Sequence, residues 1–220
     1  MRLMVVAPHP DDEVLGAGGT IARYSAEGND VIVVVVTKGE STLFDPDIID
    51  TGRREALKAH SQLGVEETIF MDFPAARLDS VEHHSLNSAF AQIMSKVRPE
   101  VVFLPFPGDI HKDHRLTFES ALVALRPVTA ECVREILCYE TVSETNWSAP
   151  FASPVFSPDV YIDISNYLER KVAALKTFAS QMKCFPNERS IEAVTSLATA
   201  RGATVGRCAA EAFVQVRRII

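Results

Sequence analysis

The sequence predicts an α/β fold of Rossmann type, in which helices cover both faces of a mostly parallel sheet to give three α/β/α layers. Short β-branched runs alternate along the chain with longer amphipathic stretches of helical periodicity. The clearest run, residues 31–36, is apolar at every position, which is typical of a parallel strand buried on both faces. We expect the first four strands to take the order 3-2-1-4 and residues 1–220 to form a single domain.

Each element follows from its own apolar pattern, since short runs predict strands and spacings of three and four predict helices. The predicted strands are residues 3–7, 31–36, 68–71, 101–104, 135–139 and 160–164. The predicted helices are residues 13–27, 53–63, 85–97, 116–125, 167–182 and 188–200. Gly28 and Gly64 directly follow two of these helices, and residues 38–51 are predicted to form a long loop. The pattern of residues 211–220 does not decide between helix and strand.

Composition and charge argue against several classes of protein. The chain has 29 acidic and 22 basic residues and a net charge of −7, so neither nucleic acid nor an anionic membrane is expected as a partner. No apolar stretch approaches the ~20 residues of a membrane span, and the first apolar run is too short for a signal peptide. The four cysteines lack metal-ligand spacing and are expected to be buried thiols. A cytoplasmic protein is therefore predicted, with the oligomeric state left open, a homo-oligomer included.

Two polar segments stand out, one directly after the first predicted strand and the other shortly after the strand at residues 101–104. Residues 8–13 read Pro-His-Pro-Asp-Asp-Glu, and residues 111–114 read His-Lys-Asp-His. In the order 3-2-1-4 the first and fourth strands are neighbours, so both segments should meet in the crevice at their carboxyl ends. One histidine from each segment and one carboxylate would suit zinc, or ferrous iron, and leave a position open for water. One carboxylate and one histidine would remain for acid–base chemistry.

These two segments resemble the paired motifs of the LmbE-like, or PIG-L, family of zinc-dependent N-acetyl-sugar deacetylases. That family carries a His-Pro-Asp-Asp-Glu stretch after its first strand and a His-x-Asp-His stretch after a later one. The resemblance covers nearly the whole chain. It continues through Gly18-Gly19-Thr20, Arg53-Arg54-Glu55, Leu63-Gly64-Val65, Ser180-Gln181 and Ala210-Glu211-Ala212-Phe213.

The resemblance implies a role for each polar residue of the two motifs. The zinc ligands that it implies are His9, Asp12 and His114. Asp11 would be the general base, His111 would face the oxyanion and the leaving amine, and Asp113 would hold an imidazole in place. Spacing alone distinguishes neither Asp11 from Asp12 nor His111 from His114, so these assignments depend on the resemblance.

The match is incomplete in two respects. Some relatives bring a mobile tyrosine from the C-terminal third to the oxyanion, but here no tyrosine follows Tyr167. The arginine that the family places beside Glu55 is matched by either Arg53 or Arg54, and both are candidate substrate-binding residues.

The function implied is the removal of an acetyl group from an N-acetylated amino sugar of N-acetylglucosamine type, whether free or linked to a nucleotide, lipid or glycan. One alternative is a zinc-dependent hydratase of an unsaturated carboxylic acid on the same fold, because a fold does not dictate chemistry. Another is a sugar-binding module that retains only the relic of a site.

Other features have simpler interpretations. Asp11 or Asp12 could merely cap the following helix, although that would not explain a second histidine-rich loop at the same edge. Residues 16–19 (Gly-Ala-Gly-Gly) lack the spacing of a dinucleotide-binding motif and are expected to allow close helix packing. His60 lies within a helical pattern and is expected to face solvent or bond locally.

Overall fold

The computed structural model describes residues 1–128 and 132–220. Its strands are β1 Arg2–Ala7, β2 Asp30–Lys38, β3 Glu67–Pro74, β4 Val101–Pro105, β5 Glu135–Tyr139, β6 Val160–Asp163 and β7 Ala210–Arg218. Its helices are α1 Asp12–Ala26, α2 Pro46–Leu63, α3 His83–Val97, α4 Lys112–Ala124, α5 Leu168–Leu175 and α6 Ile191–Thr204, with a short 3-10 turn at Leu78–Ser80.

The strands form one seven-stranded sheet in the order β3-β2-β1-β4-β5-β7-β6. Strands β1 to β5 pair with one another in parallel, whereas β7 runs antiparallel to both β5 and β6. The predicted order 3-2-1-4 is therefore confirmed. Because β1 pairs with both β2 and β4, its carboxyl end lies in the middle of the sheet edge.

Burial on both faces of the sheet explains the unbroken apolar runs. Along β1, Leu3 and Val5 belong to one core cluster, while Met4 and Val6 belong to the other. The first cluster includes residues of α1, α2, α5 and α6, and the second includes residues of α3 and α4. The predicted three-layer arrangement is thus confirmed, since helices pack on each side of the sheet.

Two helices begin four or more residues earlier than predicted. Helix α2 starts at Pro46, within the stretch expected to be a loop, because the Asp45 carboxylate accepts a hydrogen bond from the Asp47 N–H and caps it. Helix α4 starts at Lys112, capped by the ring of His111. The apolar periodicity does not reveal these first turns, because that of α4 is polar and the two isoleucines in that of α2, Ile48 and Ile49, lie outside the core clusters. The early start of α4 places three residues of the second motif, 112–114, on a helix.

The C-terminal third also differs in detail. Helix α5 ends at Leu175, before the predicted residue 182, and Ser180 instead donates hydrogen bonds to the Glu55 carboxylate of α2. Helix α6 begins at Ile191, where the Ser190 hydroxyl accepts the N–H of Ala193. Most of residues 211–220, whose pattern did not decide between helix and strand, belong to β7, which lies between β5 and β6 in the sheet.

Three further expectations can be compared with the described residues. The thiol of Cys138 is buried, but Cys184 and Cys208 are exposed, so the expectation of four buried thiols is wrong. His60 is 2% exposed and bonds to residues of other elements, so its expected surface position is also wrong. Within residues 1–128 and 132–220, no helix has the length and apolar character needed to cross a membrane.

Candidate active site

The two polar motifs lie together at the carboxyl ends of β1 and β4. The ring of His9 lies 4.6 Å from the ring of His111 and 5.4 Å from that of His114, measured between centroids. His9 follows β1 directly, whereas His111 and His114 lie at the start of α4 after the loop that leaves β4. The parallel pairing of β1 with β4 therefore brings together residues that are more than a hundred positions apart in sequence.

Two histidines and one carboxylate are arranged as a potential metal site. Asp12 Oδ2 lies 3.2 Å from His9 Nδ1 and 3.2 Å from His114 Nε2. One ligand atom from each of the three residues can be chosen so that all lie within 4.8 Å of one another. A tetrahedral ion with bonds of about 2.1 Å separates its ligands by about 3.4 Å, so this spacing suits one small cation. Among the described residues, Asp12 Oδ1 and His114 Nε2 are buried without a hydrogen-bond partner, which leaves them available as ligands.

Each of the two imidazoles is oriented by a carboxylate on its far side. Asp109 Oδ2 lies 2.8 Å from His114 Nδ1, and Asp109 Oδ1 accepts a hydrogen bond of 2.6 Å from the Thr145 hydroxyl. Asp113 Oδ2 lies 3.1 Å from His9 Nε2. With a cation bound, each imidazole would keep its proton on the outer nitrogen and direct the lone pair of its inner nitrogen toward the ion, as is usual for metal-binding histidines. Sequence reasoning missed Asp109, although its place just after a strand and before the second motif was a usable signal.

Asp113 also fixes the loop that follows β3. Its carboxylate accepts the N–H of Ala76 at 2.6 Å and that of Leu78 at 3.2 Å. The imidazole that Asp113 contacts is His9, so one carboxylate links α4 to the end of β1 and to the loop after β3. This linkage holds three chain segments around the candidate centre.

The pKa values of the site residues reflect several carboxylates that are buried close to the imidazoles. Burial alone would lower the pKa of His9, but hydrogen bonds with Asp113 and Asp12 raise it to about 9. Burial likewise opposes the charge on His114, yet the Asp12 charge and the Asp109 contact raise its pKa to about 10. Burial would raise the pKa of Asp12, but the facing His114 holds it well below the usual range. A bound cation would supply the positive charge that these protonated imidazoles otherwise provide.

Asp11 lies beside this centre in an unusual backbone conformation. Its φ of 118° falls in the region that L residues rarely adopt, and it directly precedes α1. The side chain is buried, and Arg189 Nη1 donates a hydrogen bond of 2.6 Å to Asp11 Oδ2. Burial raises the pKa of Asp11 to about 8, while the Arg189 charge acts in the opposite direction. Arg189, which belongs to no recognisable motif, was also missed by sequence reasoning.

His111 presents one ring nitrogen toward the open space of the site. Its Nδ1 accepts the N–H of Asp113 at 3.1 Å, so the neutral ring carries its proton on Nε2. Burial, together with the neighbouring charge of His9, lowers the pKa of His111 to about 4. His111 is therefore suited to donate a hydrogen bond as a neutral imidazole.

A cavity of about 270 Å³ opens beside these residues. His9, Asp11 and His111 contribute to its lining, as does Arg53. The Arg53 guanidinium lies 4.4 Å above the centre of the Phe70 ring and pairs with Asp72. The lining also includes three apolar residues of the β2–α2 segment: Phe44, Ile48 and Ile49. Arg54 is exposed and bonds to Thr51, outside the described lining.

The known proteins that this chain resembles in sequence are described as deacetylases. The sequence model of the PIG-L family, described as GlcNAc-PI de-N-acetylase, matches residues 4–125. The chain is 30% identical over 187 residues to the uncharacterized deacetylase YaiS of Escherichia coli, a match that covers 81% of this chain and 90% of that protein. It is 32% identical over 236 residues to the 1D-myo-inositol 2-acetamido-2-deoxy-alpha-D-glucopyranoside deacetylase of Saccharomonospora viridis, with coverage of 84% and 87%.

Solved structures resemble the whole described fold. The conserved protein TT1542 from Thermus thermophilus matches with a TM-score of 0.80 at 29% identity, over 99% of this chain and 96% of that one. GalB, the 4-carboxy-2-hydroxymuconate hydratase from Pseudomonas putida, matches with a TM-score of 0.81 at 24% identity, over 100% and 97%. The second likeness establishes the shared fold alone, since proteins on one fold can catalyse different reactions.

Proposed function

Because the chain belongs to the PIG-L family, we propose that it is a metal-dependent hydrolase that removes the acetyl group from an N-acetylated amino sugar of N-acetylglucosamine type. One observation carries the proposal: a set of two histidines and one aspartate lies beside a further buried carboxylate, Asp11, at a cavity. Metal-dependent amide hydrolysis requires these parts, namely a site for a cation and an adjacent group that accepts a proton.

In this proposal, the cation is held by His9, Asp12 and His114. Zinc is the proposed ion, and ferrous iron could use the same nitrogen and oxygen ligands. When bound, such an ion polarises a carbonyl oxygen and lowers the pKa of a water molecule. Asp113 and Asp109 serve the centre indirectly, because they fix the two imidazole rings.

The remaining groups carry the proton and the negative charge of the reaction. Asp11, as a carboxylate, takes a proton from the attacking water and can return it to the leaving amine nitrogen. Arg189 favours this charged form of Asp11 through their hydrogen bond. The Nε2–H of neutral His111 donates a hydrogen bond to the acetyl oxygen, which becomes negatively charged when water attacks the acetyl carbon. A tyrosine from the C-terminal third is not needed in this scheme, because His111 supplies the donor.

The cavity and the relatives support a sugar as substrate. Its volume of about 270 Å³ is at the small end of the range for ligand sites, which suits one sugar ring with its acetamido group. The Saccharomonospora viridis relative is a deacetylase of a 2-acetamido-2-deoxy-glucopyranoside. We propose that Arg53, within the cavity lining, hydrogen-bonds the sugar and that Arg54 acts at the outer rim. A nucleotide, lipid or glycan attached to the sugar would extend beyond the cavity.

Acetate release from a panel of N-acetyl sugars would test this proposal directly. The protein is first depleted of metal and then restored with zinc, so each substrate is measured in both states. We expect acetate only after restoration, and from 2-acetamido sugars in preference to other amides. Absence of acetate from every sugar in the zinc-loaded protein would contradict the proposal.

A second candidate is a hydratase of an unsaturated carboxylic acid. The likeness of fold to GalB favours including it, since the same cation site and acid–base groups could add water to a double bond. Loss of double-bond absorbance without acetate release would support the hydratase. A sugar-binding protein without catalysis would show sugar affinity, no turnover with either substrate and little metal after purification.

A further inference from the structure

The last residue of the first motif faces away from the cavity. Glu13 is fully buried, and it is not among the described residues that line the cavity or make up the candidate metal set. Its Oε2 accepts the backbone N–H of Asp11 at 3.2 Å. Its Oε1 lies 2.8 Å from Nε2 of His60, a residue of α2. A buried carboxylate that binds a backbone N–H next to a metal ligand calls for an explanation beyond core packing.

The contacts continue from His60 to the sheet. His60 Nδ1 lies 2.8 Å from Oγ1 of Thr68, a residue of β3. With a neutral imidazole, the Thr68 hydroxyl donates to Nδ1, Nε2–H donates to Glu13, and Glu13 accepts from Asp11. Every group in this row then has a partner, and the Glu13 carboxylate accepts from both sides, from His60 of α2 and from the backbone of Asp11. We call Thr68, His60 and Glu13 the buried chain, in which His60 and Glu13 are buried and Thr68 is half-buried.

Asp11 is the residue that needs such support. Its backbone lies in the positive-φ region at 118°, which is unfavourable for a residue with a side chain. On the carbonyl side it is anchored, because its oxygen accepts the N–H groups of Val14 at 3.0 Å and Leu15 at 2.9 Å. On the amide side the described contact is the Glu13 carboxylate. Rotation of the Asp11 backbone would swing its carboxylate away from the cavity.

We propose that the buried chain is a positioning device that holds the Asp11 backbone in its positive-φ conformation and so aims the Asp11 carboxylate into the active site. The inference rests on the proposed function, in which Asp11 accepts a proton from the attacking water. His60 is absent from the described lining of the cavity, so it acts through Glu13 and Asp11. It is therefore a positioning residue, and its effect should fall on kcat with little change in KM.

A matched pair of variants separates positioning from packing. His60→Gln keeps an N–H that can reach Glu13, whereas His60→Met fills similar space without a donor. In the zinc-loaded protein we expect His60→Met to lower kcat about 10- to 100-fold, with KM and zinc content unchanged, because small displacements of a catalytic group are costly. His60→Gln should recover most of that loss. Thr68→Val should lower kcat less, since it removes only the outer partner.

A readout independent of turnover is the hydrogen exchange of the Asp11 amide, followed by NMR in metal-free protein. We expect faster exchange in His60→Met than in wild type, with protection retained in His60→Gln. Unchanged exchange and a kcat within about twofold of wild type in folded His60→Met would overturn the proposal. If His60→Met fails to fold, equal Asp11 exchange and equal kcat in Thr68→Val and wild type would overturn it. If wild type releases no acetate, the proposed function fails, while the exchange data still decide whether the buried chain holds Asp11.

Discussion

Asp11 and Asp12 are adjacent carboxylates with different surroundings. Asp12 faces two imidazoles, whereas Asp11 faces Arg189 and the cavity. This difference, which spacing could not supply, supports the assignment of Asp12 as a ligand and Asp11 as a base. The separation depends on the turn in the chain at Asp11, because the positive φ directs consecutive side chains to different partners.

Asp11→Asn should abolish nearly all turnover while zinc is retained. The amide has nearly the same shape, but it cannot take a proton from water, and a general base typically contributes 10²- to 10⁴-fold. Acetate release and zinc content should be measured on the same preparation. Activity equal to wild type would remove Asp11 from the role of base.

His9→Ala and His114→Ala should each lose the metal as well as the activity. Each change removes one of three protein ligands, and a site with two ligands binds zinc far more weakly. The matched control is His111→Gln, which alters a neighbouring imidazole outside the proposed ligand set and should keep zinc. Full zinc content in His114→Ala, measured by metal analysis after dialysis, would contradict the ligand assignment.

Arg189→Met should move the acid limb of the pH–rate profile to higher pH. Burial raises the pKa of Asp11 and Arg189 opposes that rise, so removal of the guanidinium raises the pKa further. Because the base must be ionised, less of the enzyme is active at a given pH below the new value. The profile of kcat/KM against pH measures this shift, and Arg189→Lys should reverse part of it. An acid limb that stays in place would show that Arg189 does not tune Asp11.

At the scale of single residues, sequence was informative only where residues form a motif. The two motifs drew attention to the polar residues that now lie within one cluster, and the roles of these residues remain predictions. Asp109, Arg189 and His60 were missed, or misjudged, because each is a lone residue outside the two motifs, and the partners of Arg189 and His60 come from distant elements. Arg189 contacts a residue 178 positions earlier, and no local pattern encodes that contact.

Helix α1 shows how an element can be shaped by close approach. Its backbone is non-helical at Ala17, and the N–H groups of Gly19 and Thr20 donate to the Glu211 carboxylate of β7. Glu211 also pairs with Lys171 of α5 at 2.6 Å. The expectation that the glycines permit close packing agrees with this geometry. A Cβ on Gly16 would lie 2.2 Å from the Tyr139 ring.

Gly16→Ala should destabilise the protein by about 1–3 kcal/mol, the usual cost of overpacking, because the added methyl group meets a ring and the carbonyl of Glu140. Gly52→Ala is the control: it lies within α2, and an added Cβ would find nothing within 4 Å. It should stabilise the helix by up to about 1 kcal/mol. Urea denaturation of both variants measures the difference. Equal midpoints would contradict the close packing of α1 against β5.

Element boundaries were less predictable than element types. Apolar periodicity reveals a helix only where it packs, so the first turns of α2 and α4, which add no apolar residue to the core clusters, were assigned to loops. Helix α5 ends early because Thr177 and Ser180 make hydrogen bonds to Glu55 across the helix pair. These are tertiary contacts, and they override the local tendency that predicted a longer helix.

For the whole molecule, zinc should act as a ligand of the folded state alone. Added to metal-free protein, it should raise the melting temperature, because a ligand at 100 times its Kd contributes about 2.7 kcal/mol. Magnesium should have a smaller effect, since it prefers oxygen ligands to imidazole. Thermal unfolding with each ion gives the comparison, and His114→Ala should lose the zinc response. Equal shifts with both ions would argue against a site built from two histidines.

The central part of the sheet was predictable and its far side was not. Alternation of strands and helices implies parallel crossovers, and the doubly wound fold that results commonly has the order 3-2-1-4 for its first four strands. The remainder, β5-β7-β6, depends on antiparallel pairing between segments that are far apart in sequence. The apolar periodicity of a strand does not show which other strand it will pair with.

The interposed position of β7 has a consequence for synthesis on the ribosome. β6 pairs with β7 and not with β5, so residues 160–163 emerge before the strand that anchors them has been translated. Until residues 210–218 emerge as well, β5 is an edge strand whose unpaired backbone N–H and C=O groups can pair with other nascent chains. Chaperone dependence during translation should therefore be concentrated in this late interval.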